Sequence, residues 1–188
     1  MRSIVVTGVS GAGKSTLTAH AARALGMACY DFADLMLQAD PSVPGKDALE
    51  GLDSGRRQAI YRSVEVLLDR WFGPGNTNME TVLLENHLSI LHDGRIVTWP
   101  VGGYRRYNAR GLAVVHAEPG AILTRRTGDA TRNRRPGSVE EIAAQQGTNR
   151  EQARLIAAHL RVPLLILEND ALGGAAEALV RWVERLRS

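Results

Sequence analysis

The sequence predicts an α/β fold, a parallel sheet with helices packed on both faces. Three observations carry that expectation. Five short, continuously apolar runs are spread along the chain, as strands buried on both faces would be. Stretches with helical spacing separate them. A glycine-rich turn joins the first run to the first helix.

The elements follow in order. "RSIVVT" (2–7) is the first strand and ends in glycines. Residues 14–25 place Leu17, Ala21, Ala24 and Leu25 at helical intervals, with Gly26 as the stop. "MACYD" (27–31) is the second strand, and 40–46, with two prolines and a glycine, is a loop. From about 55 to 72 a helix lines up Ile60, Val64, Leu67, Leu68 and Trp71, and "GPGN" ends it. "TVLLEN" (81–86), "GLAVVHAE" (111–118) and "VPLLILEN" (162–169) are the remaining strands. Pro119 opens a short helix to about 127. Ser138 begins "SVEE", a capping box with Glu141. The helix it opens runs to about 160 and is expected to turn Val139, Ile142, Ala143, Ala153, Ile156, Ala157 and Leu160 inward. A last helix, about 173–187, repeats Ala175, Ala178, Leu179, Trp182, Val183 and Leu186 at helical intervals. No repeat, low-complexity tract or linker interrupts this order, so residues 1–188 read as a single domain.

Composition narrows the class. A chain of 188 residues can bury one full core, and 44% hydrophobic with 23% charged residues is unlike a disordered chain. The formal net charge is +3, and Lys14 and Lys46 are the only lysines among the 23 basic residues. Arginine's planar fork of donors suits carboxylate and phosphate, although a GC-rich coding bias would raise its overall share too. Cys29 stands alone, which excludes an intrachain disulfide and a cysteine metal cluster, and its apolar neighbours mark it as a small core residue. No apolar run approaches the ~20 residues of a membrane span. The apolar start is too short for a signal peptide, so a cytoplasmic setting without a membrane partner is expected.

The chemistry begins at "GVSGAGKS", Gly8 to Ser15, which fits G-x-x-x-x-G-K-[ST]. Backbone N–H groups must turn inward around phosphate oxygens, and glycine tolerates the dihedrals this needs. Gly8, Ser10, Gly11, Ala12, Gly13, Lys14, Ser15 and Thr16 are therefore the candidate nucleotide-binding residues. Lys14 is expected to reach the β- and γ-phosphates and the Ser15 hydroxyl to ligate Mg²⁺. The following helix aims its positive end at the same anion. A chance match in a chain this long arises about once in a few hundred. The motif implies a nucleoside triphosphate with Mg²⁺, without naming the reaction.

A carboxylate near the metal should follow a neighbouring apolar strand. "TVLLEN" supplies Glu85 there, the second candidate Mg²⁺ ligand. His87 follows closely and either touches substrate or packs in the core.

"RRTGDATRNRR" (125–135) holds five arginines in eleven residues. Phosphoryl transfer asks a protein mainly to position groups, to neutralise charge and to exclude water. A mobile arginine-rich segment meets those needs, so 125–137 reads as a lid. A solvated basic loop and a nucleic-acid patch are the competing readings; the second lacks the aromatic stacking such surfaces usually add. "YRRYNAR" is a second cluster, with Tyr104 and Arg105, that either binds another phosphate or lies on the surface.

The chain resembles P-loop nucleoside monophosphate kinases, most closely the archaeal-type adenylate kinases. The likeness lies in "IVVTGVSGAGKST", "YDFADLML", "LLENH", "RRTGDATRNRRPGSVEEIAAQQGTNREQARLIA" and "VPLLILEN". The resemblance implies the P-loop NTPase fold with strand order 2-3-1-4-5, and commonly an oligomer. It implies phosphate transfer from ATP to a nucleoside monophosphate with Mg²⁺. It places Lys14 and Ser15 at the donor phosphates, Arg132 and Arg134 in the lid, and Arg150 among the phosphate-facing arginines. It makes residues 32–72 the acceptor region, where Arg62 would approach the monophosphate. Two departures fall on the acceptor side: "LEGL" carries Glu50 where the family has a basic residue, and "SILHDGRIVTWPVGGYRRYNAR" differs from the family segment.

Three functions follow. The first is a nucleoside monophosphate kinase, with AMP the first choice of acceptor. The second is a small-molecule or nucleoside kinase on the same scaffold, whose hydroxyl acceptor would gain from Glu85, Asp31 or Asp34 as base. The third is a nucleotide-binding switch or RNA-associated factor, recognisable by salt-sensitive RNA binding.

Overall fold

Five parallel strands form the centre: β1 (Arg2–Gly8), β2 (Cys29–Asp31), β3 (Thr81–Asn86), β6 (Ala109–His116) and β7 (Leu164–Glu168). They stand in the order β2-β3-β1-β6-β7 in a computed structural model that describes residues 1–49, 51–92, 95–130, 136–170 and 172–187. The parallel class is the expected one. The numbering differs because an antiparallel hairpin, β4 (Ser89–His92) and β5 (Arg95–Thr98), stands between the third and fourth expected strands. Sequence reading passed over it because each strand has only four residues, too few for a visible period.

Helices cover both faces. The set is α1 (Lys14–Leu25), α2 (Phe32–Ala39), α3 (Ser54–Phe72), α4 (Pro119–Gly128), α5 (Val139–Leu160) and α6 (Leu172–Arg187). The expected loop at 40–46 runs into a short 3-10 turn at Lys46–Leu49, and a second such turn, Val101–Tyr107, leads into β6. Local signals set the helix ends. Gly26 closes α1 in the left-handed conformation, φ 62°. Asp31 and Asp53 cap α2 and α3, and Ser138 and Glu141 form the reciprocal capping box of α5.

Strand alternation divides the core between the faces. Val5, Leu84, Leu112 and Val114 face α3 and α5, meeting Ile60, Val64, Leu68, Ala153 and Ile156. Ile4, Val6, Leu83, Ala113 and Val115 face the other way, against Leu17, Ala21, Leu179 and Val183 of α1 and α6. Parallel strands leave their C-terminal ends on one edge, where the loop from β1 into α1 lies.

Two burial expectations fail. Val139 and Ala143 of α5 are exposed, while Gln145, Gln146, Asn149 and Gln152 are buried. That stretch packs on strand ends, where backbone groups need partners, and not on hydrocarbon. Cys29 is exposed on the edge strand β2 and is no core residue.

Candidate active site

β1 delivers the chain into the loop at Gly8, and α1 carries it away from Lys14. Gly13 caps α1 with φ 89°, and a side chain there would run into the Asn169 amide, so both backbone and space ask for glycine. A β-carbon on Gly8 would lie 2.6 Å from the Val115 carbonyl oxygen, so β6 presses directly on the loop's first residue. No side chain caps α1, which leaves its first-turn N–H groups for an anion.

The loop is gripped from outside. Arg126 Nε donates to the Ser10 carbonyl at 2.8 Å, and Arg125 Nη1 donates to that of Gly11 at 3.3 Å. Asn169 Nδ2 donates to the Ala12 carbonyl at 2.8 Å, and Arg125 Nη2 donates to the Asn169 carbonyl at 3.3 Å. With three successive carbonyls engaged, the loop's N–H groups remain for phosphate oxygens.

At the centre Lys14 Nζ meets Glu85 Oε2 at 2.8 Å, and Ser15 Oγ donates to the same oxygen at 2.7 Å. Both members of the ion pair are buried, at 7% and 5% exposure, a placement that holds only with good hydrogen bonding. A hydroxyl and a carboxylate side by side are hard oxygen donors that suit Mg²⁺, an ion that keeps its other sites for water and phosphate. Among the described residues no cluster of three or more acidic, His or Cys side chains that could hold a metal ion is found.

Asp31 stands beside Glu85 in the β2–β3 register. Its Oδ1 accepts from the Ala33 N–H at 2.9 Å and its Oδ2 from Lys46 at 2.6 Å; Lys46 also bonds Asp34 at 2.9 Å. Burial alone would raise the Asp31 carboxyl, but the Lys46 and Ala33 hydrogen bonds and the Lys14 charge outweigh it and hold it below the ordinary carboxylate value. Cys29 Sγ lies 3.9 Å from Glu85 Oε1. Although the residue is exposed on the edge strand, its thiol is partly shielded from water; that desolvation, then the charges of Glu85 and Asp31, push it up to about 12, so it is no nucleophile near neutral pH.

α5 adds a polar stripe along the strand ends. Gln146 brackets Ala117, accepting from its N–H at 3.1 Å and donating to its carbonyl at 2.9 Å. Asn149 Oδ1 accepts from Ser89 Oγ at 2.8 Å. Arg150 Nη2 lies 3.2 Å from His116 Nδ1 and 3.3 Å from Glu168 Oε1.

The expected site residues separate into groups. Gly8, Ser10, Gly11, Ala12, Gly13, Lys14, Ser15 and Glu85 are brought together, and Asn169 joins them. Thr16 is exposed and lines a cleft of about 350 Å³ between α1 and α6, with Leu17, His20, Gly173, Ala176 and Glu177. Asp34 stands with Asp31 and Lys46 near Glu85. His87 is half-buried, its backbone N–H donating to Asn86 Oδ1 at 2.7 Å. Arg62 is exposed on α3, while Arg57 is the buried arginine of that helix, donating to the Leu52 carbonyl at 3.0 Å. Tyr104 and Arg105 do not join the P-loop. Tyr104 is a core residue at 2% exposure, and Arg105 bonds His159 near the end of α5, by the opposite edge of the sheet. The segment precedes β6, and a parallel strand delivers its preceding turn to the far edge. Arg106 pairs with Asp69 and Glu65 on the surface. Arg132, Arg134 and Glu50 lie outside the described residues.

Sequence reading placed Arg125 and Arg126 within the lid segment 125–137, away from the P-loop carbonyls they hold, and gave Lys46, Asn169 and His116 no site role. Three of these five carried a signal. Arg125 and Arg126 close the helix that leads into the basic segment, and Lys46 is one of two lysines in an arginine-rich chain.

Comparison with known proteins agrees with this geometry. The model of the AAA domain family matches residues 7–143, from the end of β1 to the first turns of α5. The chain belongs to that family. This AAA-domain protein is 29% identical over 187 residues to a protein named adenylate kinase from Thermoplasma volcanium, covering 98% of this chain and 100% of that one. Shikimate kinase from Bacteroides thetaiotaomicron superposes with a TM-score of 0.62 at 17% identity, covering 98% of this chain and 97% of that one. A gluconokinase from Sinorhizobium meliloti 1021 superposes with a TM-score of 0.59 at 16% identity, covering 99% and 93%. The two structures share the fold. The AAA-domain chain is a phosphotransferase of the P-loop kinase kind. No described helix is long and apolar enough to cross a membrane.

Proposed function

We propose that the protein transfers the γ-phosphate of ATP to a nucleoside monophosphate, with AMP the first acceptor to test. The observation that carries this reading is the joined set Lys14, Ser15 and Glu85 at the mouth of a P-loop gripped by Arg125 and Arg126. Full-length similarity to proteins named adenylate kinase supports it.

In this reading Lys14 exchanges Glu85 for the donor phosphates and follows the moving group. Ser15 and Glu85 would hold Mg²⁺, whose charge offsets that of the phosphates. Arg150 approaches from α5, and Arg132 and Arg134 are the proposed lid arginines. A monophosphate oxygen attacks without a base. A hydroxyl acceptor would benefit from one, and here Asp31 and Asp34 are both engaged by Lys46 while Glu85 would be committed to the metal. That engagement favours the phosphate acceptor.

A coupled assay for ADP formation tests the reading, with ATP, Mg²⁺ and a panel of AMP, CMP, UMP, GMP, dTMP, nucleosides and simple alcohols. Turnover on AMP is expected, falling by about 10²–10³ in Lys14→Ala, the loss typical of one transition-state donor. Turnover on a nucleoside or alcohol with none on any monophosphate would overturn it.

A further inference from the structure

We infer that His116 is a substrate-binding residue, whose Nε2–H and the neighbouring Arg150 Nε–H form a paired donor site for a phosphate oxygen of the acceptor. The inference rests on the monophosphate reading above and adds a residue to it.

The proton can be placed by elimination. Guanidinium can only donate, so His116 Nδ1, 3.2 Å from Arg150 Nη2, must accept. A neutral imidazole then carries its single proton on Nε2. His116 is 3% exposed, and burial, then the Arg150 charge, lower its pKa to about 4, so the ring is neutral near pH 7. Nε2 is therefore a donor, and it is buried with no hydrogen-bond partner among the described residues. Arg150 Nε and Asn149 Nδ2 are buried and unpaired in the same sense. All three atoms are N–H donors, and two sit on side chains already bonded to each other. Unpaired buried donors are rare in folded proteins and point to a missing acceptor. A phosphate oxygen supplies that acceptor with several lone pairs.

Place in the fold supports the acceptor over the donor. His116 follows Val115, whose carbonyl presses on Gly8, and its own carbonyl accepts from the Asn169 N–H at 2.7 Å. It is thus beside the P-loop. By strand alternation it shares the face of Leu112 and Val114, the face covered by α3 and α5. α1, which leads out of the donor loop, lies on the other face. The P-loop leads directly into α1 on that face, so the second substrate is assigned to the side that His116 faces. Thr7, buried on that side with Oγ1 unpaired among the described residues, adds a polar group next to it.

Two substitutions separate holding Arg150 from binding substrate. His116→Asn keeps an acceptor in the place of Nδ1 and removes the distal donor. His116→Gln keeps an N–H in the place of Nε2. With AMP and ATP, His116→Asn is expected to raise KM for AMP about tenfold, the loss of one charge-assisted hydrogen bond, with KM for ATP changed by less than about twofold. His116→Gln is expected to stay within about threefold of the parent for AMP. Equal KM for AMP in the parent and His116→Asn would overturn the inference. So would a parallel loss of ATP affinity in both variants, the mark of a structural histidine.

A second readout needs neither turnover nor a stable variant. In ¹⁵N-imidazole spectra of the parent protein, inorganic phosphate or AMP should shift the His116 Nε2 signal, and absence of any shift would overturn the proposal. A phosphate-induced shift in a protein inert toward AMP would support the subsite and sink the monophosphate kinase reading.

Discussion

Glu85 Oε2 accepts from both Lys14 and Ser15, so the two residues that should meet phosphate and metal are held by one carboxylate. In the proposed function, binding would exchange these contacts for phosphate and metal and so keep each buried charge paired. Asp31 provides a sharper test of the acceptor. Asparagine in its place keeps the cap on the Ala33 N–H and removes the carboxylate. With a monophosphate acceptor we expect kcat of Asp31→Asn to stay within about tenfold of the parent, whereas loss of a general base would cost about 10²–10⁴. His116 makes a pH prediction. Its pKa falls from the ordinary 6.5 to about 4 on folding, so between those values the unfolded chain binds more protons. Stability is then full above 6.5 and falls as the pH drops toward 4, by about 3 kcal/mol. Urea unfolding at pH 7.5 and 4.5 (both chosen to bracket about one ordinary histidine titration) should show a smaller pH effect in His116→Asn.

At the scale of elements, α5 reads differently in sequence and in space. Its capping box and its late apolar residues Ala153, Ile156 and Ala157 are legible from residue order. Its early face is not, because "AAQQGTN" shows alanines that a hydrophobic template turns inward. The fold buries the glutamines instead, since strand ends present N–H and C=O groups that only polar side chains satisfy. Gln146→Leu would leave both Ala117 groups unpaired, and we expect a loss of about 1–3 kcal/mol in denaturant unfolding. Ala143→Glu, on the exposed face, should change stability by less than about 0.5 kcal/mol. The hairpin β4–β5 escaped notice for a related reason. It is fixed by Gln152 donating to the Trp99 carbonyl and by Tyr61 packing edge-on to Trp99, contacts 53 and 38 positions apart in the chain, beyond any local pattern.

For the whole molecule, ligand binding and stability are linked through the P-loop. ATP at about a hundred times its Kd should stabilise the fold by about 2.7 kcal/mol, or roughly 5–10 °C in Tm for a chain of this size. Thermal unfolding with and without ATP and Mg²⁺ measures this, and Lys14→Ala should lose most of the shift. Arg126→Ala, which frees the Ser10 carbonyl, should lose part of it. By itself the sequence determined the α/β class and the P-loop with Lys14 and Ser15, and it offered Glu85 as the candidate carboxylate beside them. Those features depend on neighbours within a few residues: apolar runs, glycines that take unusual dihedrals, and an acid at a strand end. Only the tertiary structure decided that Arg125, Arg126 and Asn169 hold the loop, and that Lys46 engages both Asp31 and Asp34. It alone moved Tyr104 into the core and Arg105 to the far edge, and brought His116 against Arg150. Each of those depends on which strand ends and helix faces meet, and burial and hydrogen-bond pairing set that between segments far apart in the chain.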